Sequence, residues 1–140
     1  MHRKTVIALL GAIVMAVAGS GVALASTSAP SVTVQVKNGT KTLTNSVVHG
    51  EKGWVTKGGT PKGKCPGSSA AGALDAATHG KWTGKYYSAY GDLIVTSIDG
   101  VKPKGNDYWA FYVNGKYENV GACAVKLHGG QKILFKVAKG

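Results

Sequence analysis

Histidine, the side chain most often recruited for metal binding and proton transfer, stands at 49, 79 and 128 once the first few residues are set aside, with no HExxH or other close ligand pair. That spacing predicts no metal site. Asp75, Asp92, Asp99 and Asp107 could supply a carboxylate pair for glycoside cleavage, but Asp99 falls in a predicted turn and Asp75 on a predicted helix. No spacing singles out two of them. Gly67-Ser68-Ser69-Ala70-Ala71 stops one glycine short of a nucleophile elbow, so its serines read as helix caps. With no GxGxxG or Walker loop either, the chain is expected to be no enzyme and to carry no cofactor.

Cys65 and Cys123 are the only cysteines and lack CxxC spacing. In an exported chain they read as one disulfide, whose closure would remove denatured-state entropy worth about 4 kcal/mol. A thiol nucleophile would leave its fellow unpaired and has no His-Asn partner pattern.

Aromatic residues carry the binding expectation. Tyr86, Tyr87 and Tyr90 precede a predicted strand, Tyr108 and Tyr112 share the strand face opposite Trp109 and Phe111, and Trp54 stands in a Gly/Lys-rich loop over 50–67. A tyrosine joins an apolar ring to a polar tip, which suits sugars, planar ligands or protein surfaces. Trp54, Tyr86, Tyr87, Tyr90, Tyr108 and Tyr112 are therefore the candidate ligand-binding residues. The competing role for Tyr112 is a cross-strand pair with Tyr117, worth a few tenths to about 1 kcal/mol.

Positioning those rings requires strands. Val32, Val34 and Val36 alternate with polar residues, and Asn38-Gly39 supplies a tight turn into a return strand over 40–48, with Val34 opposite Leu43. The loop at 50–67, with a short strand at Trp54-Val55-Thr56, is expected to be the mobile part. Ser68 or Ser69 then caps a helix with Ala70, Ala73, Leu74 and Ala77 on one face and Gly80 as its stop; Gly72 needs a packing reason there. Residues 93–98 are apolar on both faces and read as a central strand ended by Asp99-Gly100. The run 108–113 turns at Asn114-Gly115, and Ile133, Phe135 and Val137 mark the last strand. The fold class expected is α+β: one small domain, a twisted and mostly antiparallel sheet with one short helix packed on it.

His2, Arg3 and Lys4, the apolar run Val6 to Ala18 and Ala23-Leu24-Ala25 match a secretory leader cleaved after Ala25. The domain would then occupy 26–140, free of a transmembrane segment after processing and secreted to an extracellular setting. It would carry fifteen lysines, no arginine and six acids, a net charge of about +9. The lysines are spread along the chain, and without arginine a specific nucleic-acid partner is not expected. The expected partner is a small ligand or an extracellular surface component. The alternative is a structural or interaction domain that docks on surface proteins or anionic wall polymers through its lysines.

The order of these pieces resembles the transcobalamin-like C-terminal domain family. The matching stretches are the Ala-rich helix with Leu74 and Asp75, Val95-Thr96-Ser97-Ile98-Asp99-Gly100-Val101, Tyr108-Trp109-Ala110-Phe111-Tyr112-Val113-Asn114-Gly115, and Gly121-Ala122 before Leu127. The family's late Gly-Asp-x-Ile turn stands here as Gly130-Gln131-Lys132-Ile133, without its acid. The resemblance implies a β-grasp-like sheet wrapped on a helix. In cobalamin carriers this domain is the smaller half of a clamp whose other half is a helical barrel. Nothing here encodes that barrel, so one wall of a site is implied and tight cobalamin capture is not.

Overall fold

A computed structural model describes Gly19 and residues 29–140. The expected leader and its cleavage site lie outside the described residues.

The chain forms β1 (Ser31–Asn38), β2 (Lys41–His49), α1 (Ala70–Thr78), β3 (Trp82–Tyr87), β4 (Asp92–Ile98), β5 (Tyr108–Val113), β6 (Lys116–Tyr117) and β7 (Lys132–Ala138). Five strands make one sheet in the order β2-β1-β7-β5-β6, and β3 and β4 pair separately. First and last strands run parallel at the sheet's centre while the remaining neighbours are antiparallel. This is the expected α+β, β-grasp-like layout.

Alternation drives the sheet onto its core. Val32, Val34 and Val36 point inward beside Ile133 and Phe135, which in turn lie beside Val113 and Phe111; the rings of Phe111 and Phe135 stack 5.4 Å apart. Leu74 of α1, Leu93 and Ile98 of β4, and Trp82 of β3 close the core from the other side. Burying a side chain of this size contributes about 1.5–3 kcal/mol, so the few large residues outweigh any single polar contact.

The first hairpin corrects the expected register. Val34 lies opposite Ser46, not Leu43, because Asn38 and Lys41 are already paired, the turn sits on Gly39-Thr40, and a bulge follows between Val36 and Lys37. A slip by an odd number of residues exchanges strand faces, and here it brings Val48 against the core while Val47 points out.

The second correction concerns β4. It pairs with β3 alone and is not central. Its two-sided apolar pattern has another cause: Leu93 and Val95 are buried, whereas Ile94 remains exposed. Tyr86, Tyr87 and Tyr90 precede β4 as expected, the first two as the end of β3 and Tyr90 in the turn between the strands.

Helix α1 begins where expected. Ser69 is its cap, accepting from the Gly72 amide at 3.5 Å, and the helix ends in left-handed His79 followed by Gly80. Gly72 has its packing reason: a Cβ there would meet the Gly67 carbonyl oxygen at 1.8 Å. Trp54 forms an isolated bridge with Pro66 in place of the short strand. The loop around it is tied down by Glu51 N–H to Gly67 O, Val55 N–H to Cys65 O and Gly67 N–H to Gly53 O.

Candidate ligand-binding site

Between β4 and the β5–β6 hairpin the two sheets diverge, leaving a groove of about 530 Å³. Its size falls within the range of about 300–1,000 Å³ usual for small-molecule sites. Leu93, Trp109 and Phe111 form the buried floor, shared with the core. Tyr87 and Tyr90 stand at the β3–β4 end; Tyr108 and Tyr117 come from the hairpin. The third wall is the segment from Glu118 to Ala124.

That wall has no regular structure, yet it is held on three sides. Cys123 is joined to Cys65, as the sequence predicts. The carbonyls of Ala122 and Val125 accept the amides of Ala71 and Ala70, which an isolated helix would leave unpaired. From β4, the buried Asp92 carboxylate accepts the Cys123 amide at 3.2 Å and its neighbour Leu93's at 2.7 Å. Gly121 lies so close to that carboxylate that a Cβ would sit 2.2 Å from Asp92 Cγ. The wall is therefore preorganised.

Of the seven large apolar side chains left exposed among the described residues, five line this groove: Tyr90, Ile94, Tyr108, Tyr117 and Val120. Scattered single residues are ordinary on a surface; convergence on one concavity is not. Tyr87 and Tyr90 meet edge to face at 6.4 Å. Hydrogen bonding with Tyr108 is the main cause that holds the Tyr117 phenol above its ordinary pKa.

The groove thus gathers Tyr87, Tyr90 and Tyr108 of the six candidates, and not Trp54, Tyr86 or Tyr112. Tyr86 packs against the core, and Trp54 is half exposed on the 50–67 loop. Tyr112 faces Tyr117 across the hairpin, their centroids 5.6 Å apart, with Lys136 Nζ 4.6 Å from its ring. Sequence reasoning missed Tyr117, Ile94, Val120 and Glu118 as groove residues. An exposed isoleucine amid buried neighbours was the available signal, hidden by reading β4 as central.

Residues 67–139, from the glycine under the helix to the end of β7, match the family described as a domain of unknown function, DUF4430. The chain belongs to that family. In this DUF4430 protein β1 and β2 precede the matched residues, while every groove residue lies within them. No curated protein matches the chain by sequence. A candidate metal-binding protein from Ruminococcus gnavus shares the fold at a TM-score of 0.54 and 18% identity, over 79% of this chain and 98% of that one. Haptocorrin in complex with Cbi does so at a TM-score of 0.57 and 19% identity, over 79% of this chain. The match spans 25% of haptocorrin's own length. These likenesses show a shared fold, transcobalamin-like as the sequence implied. No group of three or more His, Cys, Asp or Glu side chains is gathered for a metal ion among the described residues of the DUF4430 domain, and no helix among them is long and apolar enough to cross a membrane.

Proposed function

We propose that this DUF4430 domain is a secreted, non-enzymatic binding module whose groove between β4 and β5 takes a small ligand with an apolar or planar body. The observation that carries the reading is the convergence of five exposed large apolar side chains on one preorganised concavity. A rigid wall spares a ligand the ordering cost that weakens binding to loose surfaces. The closed Cys65–Cys123 bridge supports an oxidising, extracellular setting, and the fold shared with haptocorrin supports binding over catalysis. Corrinoids belong among the compounds to try. A domain offering one wall of a site is not expected to hold one tightly.

The test is ligand fishing on the oxidised mature protein, read by native mass spectrometry and thermal shift. A bound compound should raise the melting temperature, the rise should persist in high salt, and Tyr108→Ala combined with Tyr117→Ala should abolish it. A shift that survives both substitutions would refute the groove.

One observation favours a second reading, docking on anionic wall polymers. The outward face of the five-stranded sheet bears Lys37, Lys132 and Lys136, its strands carry no acid, and Lys37 lies directly beside Lys136 across β1 and β7. Like charges so placed repel unless an anion lies between them. Binding through this face would fall steeply with salt.

A further inference from the structure

We infer that the groove selects a cationic head group of the quaternary ammonium class, carried on a small apolar molecule. The inference rests on the groove being the binding site, and it adds the ligand's charge.

Beyond residue 25 the chain holds fifteen lysines and six acids, yet the groove lining contains no lysine and two of those acids, Asp92 and Glu118. On so basic a surface, a lining that carries acids and no lysine favours a cation there, with Lys85 reaching only the rim at Tyr87. The two acids differ in kind. Asp92 is buried and accepts the backbone amides of Leu93 and Cys123, which hold its carboxylate in place. Half-buried Glu118 has neither an ion pair nor a side-chain hydrogen bond among the described residues, although its backbone amide bonds to Phe111 O.

The rings supply the second half of the argument. Four tyrosines present ring faces or edges to the space, and an aromatic face attracts a cation through its quadrupole. The rim already shows this, for Lys85 Nζ lies 5.2 Å from the centroid of Tyr87. A divalent cation would need several oxygen ligands, which two separated acids do not provide. A weakly hydrated trimethylammonium group loses little on leaving water and gains most from ring faces, while Ile94 and Val120 receive an apolar tail.

Isothermal titration of the oxidised protein with choline, and with the uncharged isostere bearing a tert-butyl group in its place, tests the inference. Choline should bind about tenfold tighter than the isostere, the preference expected of a cation over several rings. Glu118→Gln should shrink that ratio several-fold with the melting curve and near-ultraviolet circular dichroism unchanged, and Lys85→Ala should not shrink it. Equal affinities would overturn the charge selection and leave the groove standing. So would silence from both compounds while another apolar ligand still binds in a Tyr108-dependent way. Affinity for phosphocholine vesicles without affinity for free choline would also overturn it, since the site would then read a lipid surface. Ligand binding indifferent to Tyr108 and Tyr117 would remove the groove itself.

Discussion

Asp75 shows how a single acid can organise a corner of the fold. Its Oδ1 accepts the Trp82 indole N–H at 2.6 Å and lies 3.6 Å from Lys57 Nζ, and that ammonium also donates to the carbonyls of Gly80 and Trp82 just beyond the helix. Glu51 bears the cost of this arrangement. Burial first, then the charge of Asp75, raises its pKa above 4.5, with Lys57 offsetting part. An acid whose folded pKa is raised opposes folding when ionised, so the penalty is absent below about pH 4.5 and fully present above the raised value. Glu51→Gln should therefore raise the melting temperature at pH 7, and the gain should fade as the pH is lowered through 4.5. Thermal melts across that range check it; an equal gain at every pH would contradict it. Tyr117 offers a second residue-level test, in the groove. Tyr108→Phe should bring its phenol back down toward 10, which ultraviolet titration of the tyrosines reads directly.

Helix α1 sits close against the loop before it because position 72 has no side chain. Alanine there would gain about 1 kcal/mol in helix propensity, but its Cβ would collide with the Gly67 carbonyl, which no rotamer relieves. Gly72→Ala should lower the urea midpoint by more than propensity returns. At this scale the sequence was largely legible. Ser69, the alanine face and Gly80 announced the helix, and Asn114-Gly115, both with positive φ, placed Tyr112 against Tyr117. Strand neighbours were harder. The turn dipeptide Asn38-Gly39 named a hairpin but neither the displaced turn nor the bulge that together set Ser46 opposite Val34, because a register slip changes no local propensity. The apolar pattern of β4 named a strand but not its lone partner, because an exposed Ile94 facing a groove has the same sequence signature as a buried one.

Across the whole molecule the site depends on residues distant in sequence. Tyr87 and Tyr90 meet Tyr108 and Tyr117 only because β3–β4 diverges from the main sheet, and the 118–124 wall stays in place through a bridge to Cys65, 58 residues away. Three of the six candidate rings, Tyr87, Tyr90 and Tyr108, line the groove and three do not: residue type marks a capable ring, and long-range packing decides where it stands. Replacing both cysteines by serine should cost about 4 kcal/mol by the loop-entropy relation, and it should weaken groove ligands further by loosening the wall. Denaturant unfolding and a ligand titration on the same variant separate the two effects. The lysine face over β1 and β7 is the rival surface, and it adjoins the groove at the Tyr112–Tyr117 pair, where Lys136 Nζ lies 4.6 Å from the Tyr112 ring, so the two are told apart by which residues respond. Amide chemical-shift mapping of the oxidised domain with a bound small ligand reads that response most directly. Shifts should cluster on Tyr87, Tyr90, Ile94, Tyr108, Tyr117 and Val120 and persist in high salt. Shifts confined to Lys37, Lys132 and Lys136 that vanish as salt is added would contradict the groove as the working surface of this protein.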